Sequence, residues 1–290
     1  MSFVGELVLK SIVKLRSGRA NGNGTNGASH EDDFAAYIQW QFESSPRLFK
    51  KYPASFDVRG KRVLEIGCGT GGRTAYLASL GAAKTVGIDI NRDEIAIAQR
   101  EVARLYPHLN VEYIATTENG SLDIGQFDIV VLIDCLEHVV SPPDMLRLAH
   151  GYTNPGGSCF ISLYGWYHAN GSHFGLMPFV NVFFTDEEIL NVQRWLVSQP
   201  SYVPSRFDSN PPVERWRGLY DLRQRPGEYL NKITLREMKK LVKYSPFGSG
   251  EMHVIGFGRS NPLVKALNTL RHVPVVQEAL HSYVVLEFVK

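Results

Sequence analysis

The sequence has few cysteines and no long apolar run. Its 290 residues include three cysteines, Cys68, Cys135 and Cys159, and their spacing matches neither a metal site nor a disulfide framework. Nowhere does the sequence contain the uninterrupted apolar stretch that a membrane-spanning helix requires. The N-terminal residues lack a small-residue cleavage pattern, which argues against a secretory signal. Together these absences predict a protein of the cytoplasm, a reducing compartment.

Excess charge of one sign is also absent. The formal net charge is +2, which gives no indication of a nucleic-acid partner. Hydrophobic residues make up 44% of the chain, an ordinary fraction for a globular protein. The length fits one large domain, or a domain with a lid.

A glycine-rich turn follows the first strong apolar run. Residues 63–66 are predicted to form a buried strand, and Gly67, Gly69 and Gly71 follow it before a helix predicted from Arg73. Glycine permits positive φ and lets a ligand approach the backbone closely. Exposed amides at a helix N-terminus suit a nucleotide or a carboxylate. The segment therefore predicts a ligand-binding turn.

Carboxylates accompany this strand and two others. Glu65 lies within the first strand, Asp89 lies near the end of a strand at 85–90, and Asp134 follows a strand at 127–133. The carboxyl ends of parallel strands meet at one edge of a sheet, where α/β proteins bind ligands. An acid about twenty residues after a glycine-rich turn is typical of ribose binding.

These residues carry a resemblance to a known family. The run from Glu65 to Gly71 resembles the first motif of class I S-adenosylmethionine-dependent methyltransferases, and Asp89 matches the acid after their second strand. Residues 134–139 resemble the region after their fourth strand, and residues 154–157 resemble the turn before their fifth. The similarity covers roughly residues 60–163 and is greatest to the ubiquinone-pathway type of O-methyltransferase, a small-molecule branch.

The resemblance implies a fold and a cofactor. The expected fold is α/β, a seven-stranded, doubly wound Rossmann-like sheet with an aromatic-rich lid inserted between strands five and six, and the expected cofactor is S-adenosylmethionine. Asp89 is expected to bind the ribose, Ile90 to pack on adenine and Asp134 to lie near the methionine end. The expected cofactor-binding residues are Glu65, Gly67, Cys68, Gly69, Gly71, Asp89, Ile90 and Asp134. Where the family often has an adenine-binding aspartate after strand three, this sequence has Ala115–Glu118.

Catalysis is expected at His138. Methyl transfer to a hydroxyl requires removal of its proton, which suits histidine, so His138 is the predicted general base. If residues 134–138 began a helical turn, Asp134 and His138 would lie on one side of it. No metal is expected, since His168 and His173 do not match zinc-ligand spacing. Tyr164, His168 and His173 are the predicted substrate contacts.

The chain divides into four predicted parts. An aromatic-rich insertion favours an apolar or ring-containing acceptor, and Tyr37, in a helix predicted at 33–49, is expected to help cover the cofactor. Capping patterns predict helix starts at Asn91, Ser141, Thr185, Thr234 and Asn261. The last two strands are predicted at 253–258 and 283–289. The parts are an N-terminal helix and linker (1–30), the cofactor-binding core (31–163), the insertion (164–233) and the C-terminal part of the sheet (234–290).

Some alternatives remain open from sequence. Residues 1–16 form a predicted amphipathic basic helix, which either packs on the protein or contacts a membrane surface peripherally. The helix places on one face Phe3, Val4, Leu7, Val8, Ile12 and Leu15. The alternatives to O-methylation are N- or C-methylation, or a non-catalytic cofactor-binding subunit. A dinucleotide oxidoreductase ranks lower, because the usual third glycine position of that fingerprint is missing.

Overall fold

The computed structural model describes most of the chain. The described residues are 2–17, 30–117, 122–173, 176–200, 230–257, 269–270 and 273–290. The predicted linker, the centre of the insertion and the helix start at Asn261 lie outside them. Within these ranges, every helix is too short or too polar to cross a membrane.

A seven-stranded sheet forms the centre of the molecule, in the order β3-β2-β1-β4-β5-β7-β6. All neighbouring pairs up to β5 are parallel, and β7 runs antiparallel to both β5 and β6. The predicted doubly wound, seven-stranded sheet is therefore confirmed. The strands are β1 Arg62–Ile66, β2 Lys84–Asp89, β3 Val111–Ala115, β4 Phe127–Ile133, β5 Thr153–Leu163, β6 Ser249–Ile255 and β7 Tyr283–Val289.

Helices connect these strands and begin where the capping patterns predict. Thr185 and Thr234 each form a complete capping box with the glutamate three residues later, while the side chains of Asn91 and Ser141 accept backbone amides. The helices of the described chain are α1 Ser2–Ser17, α2 His30–Phe49, α3 Gly72–Ser79, α4 Arg92–Leu105, α5 Pro142–Tyr152, α6 Val180–Phe183, α7 Asp186–Val197, α8 Leu235–Lys243 and α9 Pro274–Gln277, with a 3₁₀ turn at Leu136–His138.

The sheet is buried on both faces, which explains why its strands appear as continuous apolar runs. In β4, Val130 and Leu132 pack in one core cluster, while Ile129, Val131 and Ile133 pack in another on the opposite face. Parallel strands covered by helices on both sides show this pattern instead of alternating polar residues.

Two strands, β5 and β6, differ from their predicted bounds by more than one residue. β5 begins at Thr153 instead of residue 158, because Thr153 already pairs with Phe127 and the next pair is Ile129 with Ser158. The intervening residues 154–157, predicted as a turn, form an irregularity within the strand. β6 spans Ser249–Ile255 instead of 253–258, because it pairs with β7 along that length. Its first residues are exposed, so they carry no apolar signal.

Helix α1 packs on the protein itself. Leu9 is fully buried and Val13 is 6% exposed, in a cluster that includes residues of α7. Val4, Leu7 and Val8 remain exposed. The buried side of α1 is thus not the apolar face that was predicted from the sequence. Peripheral membrane contact through the outer side remains a prediction.

Candidate active site

The glycine-rich turn adopts a conformation that other residues would strain. Gly67, Gly69 and Gly71 have φ values of 78°, 52° and 81°, in the left-handed region that favours glycine. A Cβ on Gly71 would lie 2.4 Å from the ring of Tyr113, whose hydroxyl donates to the Gly71 carbonyl at 2.7 Å. The loop therefore keeps its backbone packed at the carboxyl end of β1.

Asp89 connects the end of β2 to this loop. Its Oδ2 accepts the Gly69 amide at 2.8 Å and its Oδ1 accepts the Asn91 amide at 2.9 Å. A carboxylate has about four lone-pair sites, so each oxygen retains capacity for a ligand hydroxyl. Ile90, half-buried beside it, offers an apolar contact. This arrangement fits a ribose and an adjoining base.

Glu65 and Cys68 are buried beside the glycine-rich turn. Glu65 is 2% exposed and accepts the Thr74 hydroxyl at 2.6 Å. Burial raises the pKa of Glu65 to about 7, although the Thr74 hydrogen bond opposes this. Cys68 is 5% exposed, and burial raises its thiol pKa well above the usual range. Both side chains are therefore placed to hold the turn in position, and their burial does not support direct ligand contact.

Helix α2 lies directly on the start of α3. The Thr70 hydroxyl donates to Gln41 Oε1 at 3.1 Å, and a Cβ on Gly72 would lie 2.5 Å from the Ile38 carbonyl oxygen. Tyr37, the predicted cover residue, is half-buried and stacks on Trp40 with ring centroids 5.5 Å apart. Residues of α2 therefore border the loop, as expected of a cover helix.

Asp134 is held by two residues that the sequence analysis missed. Arg73 Nη2 lies 3.1 Å from Asp134 Oδ2, and the Tyr283 hydroxyl donates to Oδ1 at 2.6 Å. The Tyr283 hydroxyl also lies 3.2 Å from Ser162 Oγ, which is 2.7 Å from the Tyr52 hydroxyl. In the sequence, Arg73 stands next to the glycine-rich turn. Tyr283 begins β7, and no nearby motif marks it as a site residue.

A second group, Glu137, His138 and His173, gathers beyond β4. One ligand-type atom from each lies within 4.8 Å of the others. His173 Nε2 is 3.9 Å from Glu137 Oε1, and the two histidine rings are 5.0 Å apart. The structure thus brings together two predicted histidines and adds Glu137, which sequence reasoning missed.

The carboxylate of Glu137 is in an unusual environment. Its side chain is buried, and neither oxygen accepts a hydrogen bond from another residue in the described part of the chain. Burial raises the pKa of Glu137 well above its usual range, and the charge of Asp134 raises it further. Such a group is costly unless a positive charge or a proton compensates it. A protonated His138 or His173 would compensate the negative charge of the Glu137 carboxylate.

The turn carrying His138 is fixed by Asn231. The Asn231 side-chain amide donates to the backbone carbonyls of Leu136 at 2.7 Å and Val139 at 2.9 Å. Its backbone amide donates to the backbone carbonyl of Glu137 at 2.8 Å. These bonds hold a 3₁₀ turn that begins after Asp134. Asp134 lies before this turn, so the condition under which Asp134 and His138 would share one side of a helical turn is not met.

The other two predicted substrate contacts differ in accessibility. His168 is 5% exposed, and its Nδ1 accepts the Asn170 amide at 3.1 Å. Burial, followed by the neighbouring His281, lowers its pKa to about 4. Its ring stacks on Tyr164, which packs edge-on against Tyr283. His168 therefore belongs to the packed base of the insertion, and its burial does not support substrate contact. Tyr164 is half-buried and packs against Tyr283, the residue that donates to Asp134.

Comparison with known sequences identifies a family. Residues 37–243 match the family described as a methyltransferase domain. A ubiquinone biosynthesis O-methyltransferase of Pseudomonas aeruginosa is 35% identical over 103 residues, 36% of this chain and 44% of that protein. One of Aeromonas salmonicida is 35% identical over 125 residues, 43% and 48% of the two chains. The alignments thus span less than half the length of these curated relatives.

Solved structures share the fold at low sequence identity. A S-adenosylmethionine-dependent methyltransferase from Mesorhizobium loti matches with a TM-score of 0.50 and 17% identity, over 85% of this chain and 97% of that one. Phosphoethanolamine N-methyltransferase 2 of Haemonchus contortus, in complex with S-adenosyl-L-methionine, matches with a TM-score of 0.52 and 16% identity. The match covers 92% of this chain and 61% of that one. These likenesses support the sheet architecture described above.

Proposed function

This chain belongs to the class I S-adenosylmethionine-dependent methyltransferases, and we propose that it methylates a hydroxyl oxygen of a small molecule. The observation that carries the choice of oxygen is the group of Glu137, His138 and His173 beyond β4. A hydroxyl must lose a proton during methylation, and a base beside a buried carboxylate is suited to that step.

The residues around the loop fit the cofactor. Asp89 binds the ribose hydroxyls in charge-assisted hydrogen bonds, and Ile90 packs beside the adenine. Gly67, Gly69 and Gly71 keep the backbone free of side chains that would block the ligand. S-adenosylmethionine supplies a methyl group already activated by its sulfonium. The protein's main contribution is then to align the acceptor with that group.

His138 is the proposed general base. It accepts the proton from the acceptor hydroxyl, and the carboxylate of Glu137 stabilises the resulting imidazolium. His173, 3.9 Å from Glu137, shares this interaction and borders the acceptor from the insertion. The aromatic residues of the insertion favour an acceptor with an apolar or ring-containing body. Tyr164 is placed to contact it.

Mass spectrometry with labelled cofactor tests the function. Wild-type protein is incubated with a metabolite extract and S-adenosylmethionine carrying an isotopically labelled methyl group. The expected result is a small molecule that gains the labelled methyl on oxygen, with the label accumulating about 10²–10⁴ times more slowly for the His138→Ala variant. Label on nitrogen or carbon would contradict the choice of oxygen, and cofactor binding without any product would support a non-catalytic subunit.

The base is tested separately from the reaction class. Turnover is measured with and without a chelator of divalent cations. Unchanged turnover supports His138 as a base. If the chelator abolished turnover and an added cation restored it, the three side chains would act as metal ligands and the base assignment would be wrong.

A further inference from the structure

The edge of the sheet continues past the strands that carry the cofactor residues. Those residues follow or end β1, β2 and β4, and the strand order places β5 and then β7 beyond β4. Tyr164 directly follows β5 and Tyr283 begins β7, and their rings pack edge to face with centroids 4.8 Å apart. Ligands of α/β sheets bind outside the carboxyl ends of the parallel strands. The region around these two tyrosines is therefore the side from which an acceptor reaches the methyl group.

Lys51, just after α2, brings an ammonium to this region. Its Nζ lies 4.7 Å from the centroid of the Tyr283 ring, within the range of a cation–π contact. The Lys51 side chain is half-buried. Among the residues that the structure describes, it forms no ion pair with a carboxylate. Asp134 acts on it only from a distance and is already bound by Arg73 and Tyr283.

The charges that surround Lys51 are not balanced. Burial lowers the pKa of Lys51, the charge of Asp134 opposes this effect, and the charge of Arg47 adds to it. Burial is also the main cause that lowers the pKa of His168, and the charge of Lys51 contributes to that shift. S-adenosylmethionine carries a carboxylate, an ammonium and a sulfonium, so it adds a net positive charge. A partly buried ammonium in such surroundings is costly unless an anion compensates it.

We propose that Lys51 binds an anionic group of the acceptor, such as a carboxylate carried by its ring. The Lys51 ammonium donates charge-assisted hydrogen bonds to that group, while Tyr164 contacts the ring. The inference rests on the proposed function and narrows its substrate class to hydroxylated anions. Lys51 is then a specificity residue that orients the acceptor, and removal of the hydroxyl proton stays with His138.

The charge of the methylated product tests this substrate class. Wild-type protein is incubated with a metabolite extract and S-adenosylmethionine carrying a radiolabelled methyl group, and the mixture is passed over an anion exchanger at neutral pH. Methylation of a hydroxyl leaves the anionic group free, so the label that depends on the protein should be retained. A labelled product that passes through the exchanger would overturn the inference and leave the methyltransferase function intact.

Two substitutions of Lys51 show whether its charge is responsible. The rate of labelling is measured against dilution of the extract, which gives an apparent KM before the acceptor is identified. Lys51→Met should raise that KM by roughly 10- to 100-fold and change kcat by less than about threefold, as expected when binding alone is lost. Lys51→Arg keeps the charge and should recover most of the affinity.

Cofactor binding is the second readout. The affinity for S-adenosylhomocysteine, measured by calorimetry, should be the same for Lys51→Met and the wild type, which also reports that the variant is folded. A fall in kcat alone, a loss of this affinity, or an unchanged KM would overturn the assignment of Lys51.

Lys50→Met is the matched control, because Lys50 is the exposed neighbour of Lys51 and should leave both readouts unchanged. If the wild-type protein bound S-adenosylhomocysteine but labelled no product, the proposed function itself would fail, and the role of Lys51 with it.

Discussion

The buried carboxyl of Glu65 makes stability depend on pH, and Glu65→Gln should remove that dependence. Glutamine keeps the shape of the side chain and an oxygen that can accept the Thr74 hydroxyl, but it does not ionise. The wild-type residue is 2% exposed, and burial raises its pKa from 4.5 to about 7. In the unfolded chain the carboxyl is solvated and keeps its ordinary pKa.

The direction and size of this pH effect on stability follow from the difference in the pKa of Glu65 between the folded and unfolded states. Between pH 4.5 and 7 the folded state binds the proton that the unfolded state has lost, so stability falls as pH rises. The stabilisation is fully present below pH 4.5 and is lost as pH rises through about 7. At 1.36 kcal/mol per pKa unit, this difference corresponds to about 3 kcal/mol. Glu65→Gln should match the wild type near pH 4.5 and exceed it by that amount near pH 8.

Urea denaturation at the two pH values measures the difference. Comparing the variants is essential because His168 and His281, whose pKa values burial lowers, change stability in the opposite direction as pH rises. Those contributions are shared by both proteins and cancel. Glu112→Gln, at an exposed ion pair with Lys84, is the matched control and should show no such gain. A constant difference between wild type and Glu65→Gln across this range would refute the reasoning.

Three further predictions test the site and the N-terminal helix. Asp89→Asn should weaken S-adenosylmethionine binding by about 1.5–3 kcal/mol, because a charged acceptor is lost; unchanged affinity by calorimetry would contradict the ribose assignment. His138→Ala should keep cofactor affinity but lower turnover by about 10²–10⁴, less so at high pH with an acidic phenol, whereas His108→Ala at an exposed histidine should not. Leu9→Ala should cost about 2–5 kcal/mol in urea denaturation and Val8→Ala within about 0.5 kcal/mol, since only Leu9 is buried; equal losses would contradict the packing of α1 on α7.

The parallel part of the fold was predictable because its signals are local. β4 is buried on both faces and appears as one apolar run, which a sequence reveals directly. The capping boxes at Thr185 and Thr234 lie within four residues of sequence. The glycines of the turn are likewise required by their own φ values.

The remaining features depend on contacts between distant segments. The early start of β6 follows from pairing with β7, while its first residues are exposed and polar. In α1 both sides contain apolar residues, so hydrophobicity alone could not choose Leu9 over Leu7 as the packed side. The 3₁₀ turn at Leu136–His138 requires Asn231, a residue from the far end of the insertion.

Site residues could be found from sequence where their signal is local. Asp89 follows from one strand and its distance from the glycine-rich turn, and family resemblance adds His138. Arg73 could not be interpreted alone, because an arginine at the start of a helix is commonly a surface residue. Its meaning depends on β1 lying beside β4, which brings Asp134 to its side, and on β7 entering the sheet, which brings Tyr283 to fix Asp134. The strand order therefore converts three separately unremarkable side chains into one charged site.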